Sequence, residues 1–261
     1  MSTHTPGMMF TDGTFAPAPR RNTAPAMLAA LTRLEATLLL RNGEQQLLTM
    51  MLPVTFLIGL TVLPIGTLPD PRVDTVFPVV LAVAIMSTGF TGQAIAIGFD
   101  RRYGALKRLG ANAIPKWAMI AGKSAAVVVV VGLQTLLLGT IAAALGWRPN
   151  PLELLLTAAV IIVGTVAFAT LGLLLGGSLR VEIVLALANI LWFVQLGLCS
   201  ISALPGRSHM AQTLIELTPA GALSTALHQA NYGTLAWPSL AVLTLWTAAA
   251  TALARRTFKF S

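Results

Sequence analysis

The chain has 261 residues, 56% of them hydrophobic and only 10% charged, with a formal net charge of +8 and a mean hydropathy of +0.79. Soluble domains carry about 25% charged residues, so this composition excludes an ordinary water-soluble globule and points to an integral membrane protein. The positive charge does not call for nucleic acid, because basic segments facing anionic membrane lipid account for it.

Residues 1–23 (MSTHTPGMMFTDGTFAPAPRRNT) are rich in Pro, Thr and Ala, lack periodicity and read as a flexible cytoplasmic tail. They do not read as a cleavable signal, since the basic pair Arg20 and Arg21 leads into an amphipathic stretch instead of a short apolar core. That stretch, residues 24–46, sets Leu28, Leu31, Leu34 and Leu38 at helical spacing, with Arg33, Thr37 and Arg41 along another line. Two readings fit it: a helix lying along the inner membrane surface, or an extension of the first span into water.

Six apolar runs follow, at residues 47–65, 76–97, 124–145, 154–175, 183–204 and 235–254, and none holds Asp, Glu, Lys, Arg or His. Each approaches the ~20 residues that a helix rising about 1.5 Å per residue needs to cross about 30 Å of hydrocarbon. None alternates as a barrel strand does, so the predicted fold is all-α: one domain over residues 24–261 with six transmembrane helices. Fourteen of the 17 Lys and Arg residues fall on one side of these spans, leaving Arg72, Arg148 and Arg207 on the other, which predicts that both termini are cytoplasmic.

One loop stands out, residues 99–123 (FDRRYGALKRLGANAIPKWAMIAGK), between the second and third runs. Asp100, Arg101, Arg102, Lys107 and Arg108 surround a short apolar register of Leu106 and Leu109, with Gly104 and Gly110 as punctuation and Pro115 opening the next helix. The pattern predicts a short helical piece with a charged face, a handle for something in the water. Gly122, Lys123 and Ser124 spell the end of a phosphate-binding loop, but Trp117 stands where its first Gly belongs and a membrane span follows. Lys123 reads instead as a lysine snorkelling at the membrane boundary, beside Trp117 and Gly122.

Catalytic and metal-binding patterns are missing. Cys199 is the only cysteine and reads as a packing residue, and His4, His209 and His228 are not at ligand spacing. Gradient-driven carriers place an ionisable group inside the membrane, and no run has one, so energy for transport is expected from a partner acting on the cytoplasmic loops. The runs offer Thr88, Thr91, Gln93, Gln134, Asn189 and Gln195, hydroxyls and amides suited to a path for amphipathic cargo or to bonds between helices. A passive channel or scaffold remains an alternative, as does a lipid-modifying enzyme, for which only Glu153, Glu182 and Glu216 are suitably placed.

The run FDRRYGALKRLGANAIPKWAMIAGKSAA is similar to the segment between the second and third spans in the membrane subunits of ABC-2 type exporters. There a charged stretch, then Gly-[ST]-Leu-[KE]-x-Leu, an aromatic and finally Gly-Lys lead into the third span. Tyr103, Gly104, Leu106, Lys107, Leu109, Trp117, Gly122 and Lys123 match. Residues 189–230 (NILWFVQLGLCSISALPGRSHMAQTLIELTPAGALSTALHQA) resemble that family's fifth span and outer re-entrant segment, with Pro205 and Pro219 at the matching places. Two positions depart: Asp100 is the one acid of the loop, and Ala113 stands where the family often has Pro.

The resemblance implies a permease of a bacterial drug or antibiotic exporter in the plasma membrane, not itself an enzyme. It would pair with a second six-helix permease, identical or different, and with separate ATP-binding subunits that hold ATP and Mg. Lipid or polysaccharide export is the alternative within the family. Residues 100–109 would couple to the ATPase, and Gly172 with Gly176 forms a small-xxx-small pair that could serve an interface between permeases.

Overall fold

The computed structural model describes residues 23–63, 68–104, 114–202 and 208–257, and among these every regular element is helical. In chain order they are α1 (Ala24–Arg41), α2 (Gly43–Val62), α3 (Arg72–Ile85), a π-helical turn (Met86–Gly92), α4 (Gln93–Arg102), α5 (Lys116–Ala144), α6 (Pro151–Ser178), α7 (Val181–Ser202), α8 (His209–Glu216), α9 (Pro219–Ala230) and α10 (Trp237–Thr257).

Five helices are long and apolar enough to cross a membrane: Arg72–Arg102, Trp117–Ala144, Pro151–Ser178, Val181–Ile201 and Trp237–Thr257. They correspond to five of the six expected runs. The remaining run, residues 47–65, forms α2, whose apolar part Thr49–Val62 is shorter than a full crossing; residues 64–67 lie outside the described residues. α1 and α2 are separate helices, because Asn42 leaves helical geometry at ψ 72° between them. α1 packs mainly along α5.

The second run is not one regular helix. α3 and α4 are joined through the π-helical turn, whose wider ladder inserts a residue and turns the side chains beyond it to a new bearing. Here α6 crosses at close range. A Cβ added at Gly172 would stand 2.6 Å from the Phe90 carbonyl oxygen, and one at Gly176 would collide with that of Ala94. The Gly172–Gly176 pair, raised above as a surface for a second permease, is therefore occupied by this chain's own second span.

α6 is the central helix, touching the π turn, α3, α4, α5, α7, α9 and α10. It starts on a capping box in which the Asn150 side chain accepts from the Glu153 amide and Glu153 accepts from the Asn150 amide. At that same end the Trp147 indole donates to Asn231 Oδ1 at 2.9 Å, and Asn231 Nδ2 donates to the Asp74 carbonyl at 3.0 Å, tying the starts of α3 and α6 to the end of α9. α9 is buried along one face through Ala220, Leu223, Ala226, Leu227 and Ala230. It runs from this end down to Leu223, which fills the space beside Gly164, about midway along α6. The thiol of buried Cys199 bonds to Ser224 of α9, so the cysteine packs as expected.

The outward faces of α5, α6, α7 and α10 carry exposed Leu136, Leu155, Ile162, Phe193 and Leu245. A contiguous apolar surface of this extent is not tolerated in water and identifies the side that meets lipid. The charged side chains gather at the two ends of the bundle.

Candidate functional site

At the end opposite Trp147, three helices converge on one ammonium. Lys123 of α5 donates to Glu35 Oε2 of α1 at 2.8 Å and to Asp100 Oδ2 of α4 at 2.9 Å. Lys123 is 4% exposed, so the pairing lies mostly out of water, where a charge without partners is costly. The residue beside it explains how α1 comes so near: a Cβ on Gly122 would lie 2.8 Å from the Leu31 Cβ. Glu35 is one turn beyond Leu31 on the same α1 face, so Gly122 admits the helix and Lys123 holds it. The snorkelling expected of Lys123 gives way to a buried ion cluster, because carboxylates from α1 and α4 reach it first. Trp117, by contrast, is well exposed at the start of α5.

The neighbouring charges of the loop turn onto the protein itself. Arg101 donates to the carbonyls of Leu179, at 2.9 Å, and Gly176, at 3.3 Å, capping the end of α6. Arg102 pairs with Glu182 at 3.2 Å across an exposed contact. Tyr103 stacks on Phe99 with ring centroids 5.9 Å apart, and Gly104 ends the segment at φ 72°, a left-handed conformation that glycine adopts without strain. Leu106, Lys107, Arg108 and Leu109 lie outside the described residues.

Beside the ion cluster opens a cavity of about 850 Å³. Its apolar wall includes Leu34, Leu38, Leu39, Ile95 and Phe99; its polar groups are Glu35, Asn42, Gln46, Thr49, Thr88, Gln93, Asp100, Tyr103 and Lys123. Of the six polar residues predicted to line a path, the structure brings Thr88 and Gln93 to this cavity. Gln134 stands just behind it, accepting from the Thr88 hydroxyl at 2.9 Å through Oε1, with its Nε2 3.5 Å from Gln46 Oε1. Gln93 is 4% exposed and its Nε2 has no hydrogen-bond partner, a buried donor left open.

The other three lie elsewhere. Asn189 donates back to the Leu185 carbonyl of its own helix, Gln195 belongs to the same α7, and the Thr91 hydroxyl is buried without a partner. Glu35, Asn42, Gln46 and Thr49 were not singled out from the sequence. The visible signal for Glu35 was a single acid within the Leu28–Leu31–Leu34–Leu38 pattern.

The three carboxylates that an enzyme would need are engaged structurally: Glu153 in the helix cap, Glu182 with Arg102, and Glu216 accepting from Gln212 at 3.0 Å. His209 and His228 are exposed, and no group of three or more potential metal ligands occurs among the described residues.

Long apolar helices, a lipid-facing girdle and charge confined to the ends define a multi-pass membrane protein. The family model for the ABC-2 type transporter matches residues 27–227, and the chain belongs to that family. It is thus a membrane component of an ABC transporter, a transport subunit. No curated protein matches the chain.

Proposed function

We propose that this chain is the permease half of an ATP-driven exporter, coupled to separate ATP-binding subunits through the segment that leaves α4 and returns at α5. The observation that carries the reading is the Lys123 cluster, which ties α1, α4 and α5 together at the two points where that segment is attached. A push on residues 105–113 is then delivered to three helices at once, one of which continues through the π turn into the core.

In this reading α2 completes a sixth crossing, and α8 with α9 forms a re-entrant hairpin entered from the outer end. The depth of Leu223 beside Gly164 supports that. The Lys123 end is cytoplasmic, as are both termini, in a bacterial plasma membrane. ATP and Mg are held by the partner subunits, and a second permease, identical or different, completes the path. The cargo is amphipathic, a drug or antibiotic, since the cavity combines apolar walls with a few polar groups.

Purification of the tagged chain from its native membrane tests this. An ATP-hydrolysing subunit is expected to co-purify, and Lys107→Glu with Arg108→Glu is expected to release it. Arg101 is a poor choice for this test, because it donates to the carbonyls that end α6 and so supports the fold. A folded chain that comes out alone, without ATPase activity, overturns the reading.

A further inference from the structure

We infer that the cavity between α1, α2, α4 and α5 is a binding site for an organic cation with an apolar body and a hydrogen-bond acceptor at its far end. Among the described residues, the charged side chains that line it are Glu35, Asp100 and Lys123, two carboxylates against one ammonium, so this lining carries one negative charge in excess. That excess is accessible: the Asp100 side chain is 35% exposed, whereas Lys123 is buried at 5%. An incoming cation meets a carboxylate that has an oxygen to spare, and the ammonium already in place is turned away to its two partners.

The second requirement comes from Gln93. Its Nε2 is a buried donor without a partner, and the residue lines the same cavity. Leaving such a donor unsatisfied is unfavourable, so a ligand oxygen placed there recovers an interaction that the empty site lacks. Gln93 and Asp100 are seven positions apart on α4, two turns, which places them on one face about 10 Å apart. The ligand therefore spans about 10 Å between its acceptor and its positive charge. Between these points Leu34, Leu38, Ile95 and Phe99 offer an apolar wall. A neutral lipid tail would satisfy the wall alone, and an anion would face the excess carboxylate, so the cationic amphiphile is the one class that uses all three features.

This inference rests on the transport reading for its biological role but not for the binding itself, which the chain can show alone. The probe is rhodamine 6G, a fluorescent cation with an apolar ring system and an ester carbonyl, titrated by anisotropy against the chain in phosphatidylcholine nanodiscs. Fluorescein, an anionic dye of related ring shape, and empty nanodiscs serve as references. Saturable binding of the cation at one per chain is expected, with none of the anion. Asp100→Asn is expected to weaken the cation about tenfold while Asp100→Glu retains it, which separates loss of charge from loss of fold. Gln93→Leu is expected to weaken it about fivefold through the lost donor.

Cation uptake no greater than that of empty nanodiscs overturns the inference. So does anion binding of equal strength, or an Asp100→Asn variant that binds as the parent does. An ATPase subunit that co-purifies with a chain deaf to the cation overturns this inference alone; cation binding by a chain without an ATPase overturns the transport reading alone.

Discussion

Replacing Lys123 with Met removes the ammonium while keeping the length of the side chain, and it leaves Glu35 and Asp100 facing one another. Deleting one member of a buried ion pair costs about 3–5 kcal/mol, because the remaining charge is stranded away from water. Here the cost is smaller: Glu35 is 13% exposed and Asp100 35%, so both regain some hydration. About 2–3 kcal/mol is the resulting expectation. The loss falls on α1, which is held at this point by the ion pair and by Leu31 against Gly122. Amide hydrogen exchange across α1 should accelerate roughly 30- to 150-fold in Lys123→Met, since each 1.4 kcal/mol is about a tenfold change in an opening equilibrium. Exchange in α6 should hardly change. Adding Glu35→Gln and Asp100→Asn to Lys123→Met should restore most of the protection, because no charge is then stranded. Exchange in α1 that stays within threefold of the parent in Lys123→Met would refute the claim that the cluster clamps this helix.

Three further outcomes follow from particular contacts. Gly176→Val places a branched side chain against the Ala94 carbonyl in the α4–α6 crossing and should abolish accumulation of folded protein, read by size-exclusion profile, whereas Gly132→Ala, with open space around it, should be tolerated. Trp147→Phe keeps the ring against Phe77, 4.3 Å away, but strands Asn231 Oδ1, and should cost about 1–3 kcal/mol by thermal unfolding. Arg102→Ala breaks a pair whose side chains are 54% and 67% exposed, and should cost under about 1 kcal/mol by the same measurement.

The apolar runs were legible because hydrocarbon leaves a backbone one economical way to satisfy its own amides and carbonyls, and a helix of the necessary length announces itself as composition. Boundaries were less so. The apolar run begins at Ser124, whereas the helix that carries it starts two turns earlier, at Lys116, and only Pro115 marks that start in the sequence. The π turn within the second run, Met86–Gly92, is richer in Ser, Thr and Gly than the apolar stretch before it, but composition does not tell a π turn from an α-helical one.

The candidate site was half visible. The sequence singled out Asp100 and Lys123 by their charge between apolar runs, and Thr88 and Gln93 by their polarity within one. It could not pair Lys123 with Glu35, 88 positions away, nor assign Gly122 its purpose, since both depend on α1 lying against α5. Gly172 and Gly176 show the same division. Their four-residue spacing was plain, but whether their smooth face meets another subunit or this chain's own second span is a matter of which surface arrives, and the crossing of α6 over the π turn decided it.

By itself, then, the sequence determined a multi-pass helical membrane protein with charge held at its ends, because the bilayer acts on each segment through local composition. The tertiary structure decided the ion cluster, the occupied glycine pair and the cavity with its open Gln93 donor. These arise from contacts between segments distant in sequence, where close approach and burial, not composition, set which groups meet.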